Sequence, residues 1–151
     1  MTNEQLTTYL SGKFQDIELK QGTQYLEITV PNTKLHSFAR MLKDTTELAF
    51  DYLVCLSGVD YPDHIAVVYH LESTTNGHFI VLKVKTGDRQ DPRLDTLCDV
   101  WPTAEFHERE VFDLLGVTFN NHPDLRRLFL EDNWGFPLRK DYVDDIHIVE
   151  R

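Results

Sequence analysis

Hydrophobic positions recur along this chain in short runs whose spacing changes from segment to segment, and those changes predict its elements. Residues 3–13 place Leu6, Tyr9 and Leu10 on one side at helical spacing, with Thr2 or Asn3 positioned to cap the start. The run Tyr25 to Val30 is β-rich and stops at Pro31. From Pro31 to Thr45 the period returns to that of a helix, carried by Leu35, Phe38, Ala39 and Leu42. Three strands follow. Phe50 to Val59 is almost continuously apolar, the composition of a central strand, and Ile65 to Leu71 succeeds it after a tight turn. Thr74-Thr75-Asn76-Gly77 is a hairpin signal that leads into Phe79 to Val84. This order predicts an α+β fold, a mainly antiparallel sheet with helices packed on one face.

Beyond Asp91 the pattern changes. Two short helices are expected, Leu94 to Val100 and Pro102 to Leu115, the second stopped by Gly116. No period is convincing after that, and the chain reads as irregular connections that end in an extended C-terminal arm. The expected organisation is a globular domain over residues 1–116 and a partner-docking arm over residues 117–151. Trp134, Phe136, Tyr142, Ile146, Ile148 and Val149 make that arm too apolar to be left in water. Residues from about 117 onward are expected to be partly disordered without a partner.

Charge narrows the choice of partner. With 25 acidic against 15 basic residues the chain carries a formal charge of −10, which argues against nucleic acid and against an anionic lipid surface. Arg126, Arg127, Arg139 and Lys140 nevertheless gather into one basic cluster, and a local reversal of sign marks a docking surface. The polar start of the chain offers no apolar signal core, and no apolar run approaches the ~20 residues of a membrane span. The expectation is that membrane contact comes only through another subunit. Cys55 and Cys98 stand far apart in apolar surroundings without a CxxC, so they read as small buried hydrophobes in a reducing compartment. Neither a glycine-rich phosphate loop nor a GxSxG nucleophile context occurs.

The second of the two late helices is unusual. At 100° per residue, Ala104, Val111, Phe112, Leu114 and Leu115 share a broad apolar arc, and Glu108 falls near its middle. A buried carboxylate is costly unless paired, so Glu108 is expected to hold Arg126, Arg127 or Arg139 and thereby pin the arm to the helix. Arg109 and Asp113, four apart, are expected to pair on the opposite side, and Glu110 to lie beside Phe106 and Leu114. Glu108 and Glu110 point about 200° apart on a helix and cannot act together as acid and base. His107, Glu110 and His122 are candidate metal ligands, His107 and Glu110 standing three apart at a real ligand spacing. A working site needs a third ligand and more second shell than the sequence displays, so no metal is expected.

The run Glu108-Arg109-Glu110-Val111-Phe112-Asp113-Leu114-Leu115-Gly116-Val117-Thr118-Phe119, with His122-Pro123-Asp124-Leu125-Arg126-Arg127-Leu128, resembles the signature of the C subunit of the proton-pumping NADH–quinone oxidoreductase, respiratory complex I. Leu130-Glu131-Asp132-Asn133-Trp134-Gly135-Phe136-Pro137-Leu138-Arg139-Lys140-Asp141-Tyr142 looks like the same family's continuation. Residues 1–90 resemble it in the order of their elements and in Leu56-Ser57-Gly58-Val59-Asp60-Tyr61. The resemblance implies a non-redox structural subunit with no catalytic, cofactor or metal residue of its own, FMN and iron–sulfur clusters being carried by partner subunits. It implies a place in the hydrophilic arm on the cytoplasmic side of a bacterial inner membrane, beside the quinone-site D subunit and the cluster-bearing B subunit. Some relatives are fused to the D subunit, whereas this sequence ends shortly after Tyr142, so a polypeptide separate from D is expected. The partner-docking and ion-pair residues would be Glu108, Arg109, Glu110, Asp113, His122, Arg126, Arg127, Trp134, Arg139, Lys140 and Tyr142. Related subunits occur in membrane-bound hydrogenases and in other quinone-reducing complexes, so the electron donor is not written in these residues.

Overall fold

The computed structural model describes residues 1–144. Helix α1 (Asn3–Lys13) opens on a capping box: the Thr2 side chain accepts from the Gln5 amide while the Gln5 side chain accepts from the Thr2 amide. Its Leu6 and Leu10 are fully buried. Strand β1 (Glu18–Gln21) and strand β2 (Leu26–Val30) form an antiparallel pair, and β2 alternates buried and half-buried positions as its sequence predicts. β1, with the polar sequence ELKQ, leaves no signal in the hydrophobic pattern and is set by its pairing alone. A 3₁₀ turn at Asn32–Lys34 leads into α2 (Leu35–Asp44), which buries Leu35, Phe38, Ala39 and Leu42.

β3 (Tyr52–Asp60), β4 (Ile65–Ser73) and β5 (His78–Lys85) complete a five-stranded sheet in the order β1-β2-β5-β4-β3. All of its pairs are antiparallel except β2 with β5, where the crossover through α2 brings the strands together in parallel. β5, not β3, is the central strand. The apolar run at 50–59 therefore corrects an expectation, because it occupies the sheet's edge. Leu26, Ile28, Val67, Tyr69, Ile80 and Leu82 face the helices, and all three helices contribute to this one continuous core.

The first of the two expected late helices is also corrected. Arg93–Asp95 forms strand β6, and Leu97–Val100 is only a turn, held by the Leu97 carbonyl. A helix here would have competed with β7 (Thr118–Asn120), which pairs in parallel with β6. α3 (Ala104–Leu115) is the second, and it ends at Gly116 in the left-handed region, φ 76°. It packs directly on β3. A Cβ at Gly58 would lie 2.3 Å from Leu115 Cδ1, so the absence of a side chain there allows the helix to approach.

Candidate functional site

α3 buries three charged side chains, Glu108, Arg109 and Asp113, and each serves a different stretch of chain. Asp113 is the anchor. One carboxylate oxygen accepts the backbone amides of Leu128, Phe129 and Leu130 at 3.2, 2.7 and 3.1 Å, and the other takes Arg127 Nη1 at 3.1 Å. Burial alone would raise this carboxyl. The Phe129 amide, Arg127 and the Leu130 and Leu128 amides outweigh that and hold it below the usual 3.8. Arg127 also donates to the carbonyls of Asp113, Trp134 and Gly135, so one planar guanidinium gathers two turns of the arm.

The expected Arg109–Asp113 pair does not form. Arg109 turns to the carbonyls of Arg126 and Arg127, at 3.2 and 3.1 Å, and stacks beside exposed Phe106. Further along, Arg139 donates to the Leu115 carbonyl at 2.7 Å and shares the Phe136 ring with Arg127. The Leu138 amide reaches the Leu114 carbonyl. Phe136 closes over Gly116, where a Cβ would meet its ring at 2.6 Å.

A second clasp fixes the end of the arm to the sheet. Arg89, after β5, forks onto Asp60 at 2.9 and 3.1 Å and onto Asp141 at 3.0 and 3.1 Å. The Lys140 amide donates to the same Asp60 carboxylate at 2.8 Å. Arm residues 117–144 are thus folded back on the body rather than extending away from it. Isoleucines 146 and 148 and Val149 lie outside the described residues.

Glu108 holds no arginine, which corrects the expected pin: that role falls to Asp113. Glu108 instead accepts the Leu97 amide at 2.8 Å, the Thr96 hydroxyl at 2.5 Å and the Cys98 thiol at 3.4 Å. It thereby holds the turn after β6. Burial pushes its carboxyl above the usual 4.5 against these bonds. The Cys98 thiol is pushed up to about 12, chiefly by burial, and stays protonated.

Cys98, Glu108 and His122 bring ligand-type atoms within 4.8 Å of one another, a group of metal-site character. Their hydrogen bonds do not suit an ion. His122 Nδ1 accepts the Asp124 amide at 3.0 Å, so in the neutral ring Nε2 carries the proton, and it faces the Glu105 carbonyl at 3.0 Å. His107 and Glu110 do not join His122 in any such group among the described residues. A surface cavity of about 660 Å³ opens beside Thr96 and Cys98. Its polar rim is already engaged, His36 with Asp99 at 2.9 Å and Asn120 with Asp95 at 3.2 Å.

The remaining expected residues point outward or brace the arm. Among the described residues Arg126 pairs with Asp124, and it is largely exposed. Glu110 is half-buried and the Lys140 side chain is exposed. The Trp134 carbonyl serves Arg127, and the Tyr142 ring lies against Gly135. Sequence reasoning missed Asp60 and Arg89 as site residues, because 29 positions separate them and neither sits in the arm.

The whole is a small α+β module whose last part is fastened to its own helix by buried charges. The chain belongs to the family of the respiratory-chain NADH dehydrogenase 30 Kd subunit, whose profile matches residues 28–145. It is 45% identical over 122 residues to the NADH-quinone oxidoreductase C/D subunit of Phocaeicola vulgatus, a match covering 80% of this chain and 23% of that one. It is 43% identical to the NADH-quinone oxidoreductase C subunit of Chloroherpeton thalassium, over 70% of this chain and 45% of that one. With the corresponding C subunit of Moorella thermoacetica it shares 41% identity over 88% and 90% of the two chains. The chain thus spans less than half the length of the first two of these relatives. Among solved structures it is similar, with a TM-score of 0.79 and 29% identity, to a chain of the membrane-bound sulfane sulfur reductase, an archaeal respiratory membrane complex; the match covers 95% of this chain and 86% of that one.

Proposed function

We propose that this chain is a non-redox structural subunit of a proton-translocating NADH–quinone oxidoreductase, and that it assembles the hydrophilic arm beside the quinone-site and iron–sulfur subunits. The observation that carries this reading is what the family's own residues do here. The stretch from Glu108 to Tyr142 builds a hub in which inward charges fasten the arm and outward side chains are left for another surface. Phe106, Phe129, Leu138 and Val143 are 58%, 67%, 59% and 75% exposed, a set of bare apolar side chains, and Arg126 and Lys140 are exposed cations of the same part of the chain. Glu108, Arg109, Asp113, Arg127 and Arg139 are structural in this reading. The docking side chains are those of Arg126, Lys140 and the exposed apolar set, with Glu110 at its edge.

The Phocaeicola vulgatus relative carries the C and D names on one polypeptide, which supports the D subunit as the neighbour. FMN and iron–sulfur clusters belong to partner subunits in this reading, and so does contact with the membrane on its cytoplasmic side. No helix among the described residues is long and apolar enough to cross a membrane, which is consistent with a peripheral place. The likeness to a sulfane sulfur reductase chain favours one second reading, the equivalent subunit of a related complex with another donor or acceptor.

Affinity capture of the tagged native chain from its own cells in mild detergent tests both. Recovery of the D and B subunits with flavin- and cluster-bearing proteins supports the first. A hydrogenase or sulfur-reductase large subunit in their place supports the second. Recovery of the chain alone, where other complexes survive, overturns both.

A further inference from the structure

β3 has the composition of a central strand and the position of an edge strand. Its neighbour on one side is β4, and among the described residues no strand pairs with its other side. Edge strands in natural proteins are guarded by lysines, prolines, bulges or a covering loop. The sequence YLVCLSGVD contains no lysine and no proline. A bulge interrupts the register between Leu53 and Cys55, but Cys55–Asp60 beyond it is regular, paired residue for residue with β4. Among the described residues the arm hydrogen-bonds to β3 at that strand's last residue, Asp60. Exposed apolar side chains concentrate here as well: Tyr52, Val54, Val59 and Tyr61 are 49%, 41%, 36% and 43% exposed.

Charge says what covers this edge. Between Lys43 and Lys83 the chain has no lysine or arginine, yet it carries Asp44, Glu47, Asp51, Asp60, Asp63 and Glu72. Glu72 stands opposite Tyr52 at one end of β3, and Asp63 is 83% exposed just past the other. The nearby Arg89 is committed to Asp60 and Asp141. The β3 side is therefore apolar and richer in carboxylates than in cations, with Arg89 at Asp60 and Lys85 near Asp63 as cations beside it. A second copy of β3 would bring the same acidic ends against these, so like charges oppose self-pairing.

We propose that in the assembled complex the outer edge of β3, over Cys55–Asp60, is completed by an extended, lysine- or arginine-bearing strand of a partner polypeptide. Main-chain hydrogen bonds supply the adhesion and the acidic ends select for cationic flanks. This makes a second interface, separate from the arm, so the chain bridges two surfaces. The inference rests on the reading of the chain as a subunit of a larger complex.

Amide hydrogen exchange of the chain, isolated and within the captured complex, tests it. The outward-facing amides among residues 55–60, those not bonded to β4, should exchange at least tenfold more slowly in the complex, while those of central β5 change little. The double substitution Val54→Lys with Val59→Lys, at exposed positions, should keep the wild-type unfolding temperature within a few degrees and lose most of the captured partners. Equal exchange of residues 55–60 in both states overturns the proposal and leaves the subunit reading intact. So does full retention of partners by the folded double variant, or a dimer of the isolated chain in which β3 is protected. Capture of the wild-type chain alone overturns both together.

Discussion

Replacing Asp113 by alanine removes, in one step, the acceptor of three backbone amides and the counter-ion of Arg127. Both its oxygens are buried, so water enters poorly to replace them. Breaking a buried pair by deleting one partner costs on the order of 3–5 kcal/mol, because the other partner is left desolvated. For a domain of this size that corresponds to a loss of roughly 6–20 °C in unfolding temperature. Asp113→Asn separates the two roles. Its single oxygen can keep the amides of Leu128, Phe129 and Leu130, while its NH₂ faces Arg127 without attraction, so a smaller loss, about 1–3 kcal/mol, is expected. Thermal unfolding by circular dichroism, with amide exchange at residues 128–130, reads both. If only the arm opens, the unfolding temperature holds while those three amides exchange about a hundredfold faster. Acid adds an independent check. The Asp113 carboxyl titrates below its usual 3.8 in the folded chain, so its contribution is present above that value and is lost as pH falls through the folded pKa. Wild-type arm protection should therefore weaken as pH drops below 3.8 and be lost through the depressed folded pKa, and Asp113→Asn should lack that step. An alanine variant with wild-type unfolding and wild-type exchange at 128–130 would refute the anchoring role.

Other consequences are as direct. Glu108 has a folded pKa raised above 4.5, so its stabilising share is full below that value and declines as pH rises through the folded pKa. Glu108→Gln should flatten this decline, seen as a wild-type minus variant difference in unfolding temperature that falls as pH rises above 4.5 through the raised folded pKa. Asp141→Asn and Arg89→Gln each break the second clasp, and limited proteolysis should cut near residue 140 faster in both while α3 stays protected. Gly58→Ala sets a methyl against Leu115 and Val111 on a packed interface and should destabilise by about 1–3 kcal/mol in a urea melt. Gly116→Ala combines a left-handed φ of 76° with a clash on Phe136, so it should cost more than the left-handed strain of about 1–2 kcal/mol alone.

The elements were largely legible in the sequence because side-chain periodicity is a local property. Residues 3–13 form the predicted helix to the residue, and the runs at 25–30, 65–71 and 79–84 became strands with their apolar faces buried. The burial of Glu108 was legible for the same reason, since its place on the apolar arc depends only on the helical repeat. Short segments were less so. The run 94–100 carries an ambiguous apolar spacing, and pairing with β7, more than 20 residues away, made its start a strand and left Leu97–Val100 a turn.

What only the tertiary structure decided is which partner each charge met and which strand lay at the edge. Glu108 and Asp113 stand five residues apart, so they point about 140° away from each other on the helix. Only the path of the arm determined that Arg127 arrived on Asp113's side, leaving Glu108 to the turn at 96–98. Arg89 and Asp141 are 52 positions apart and meet because the arm returns to Asp60 at the end of β3. An apolar strand likewise announces that both its faces tolerate burial, but not which neighbours it takes. Hydrophobic pattern records the side of an element that leaves water, whereas ion pairs and strand order are set by distances through space, which the linear spacing of residues does not carry.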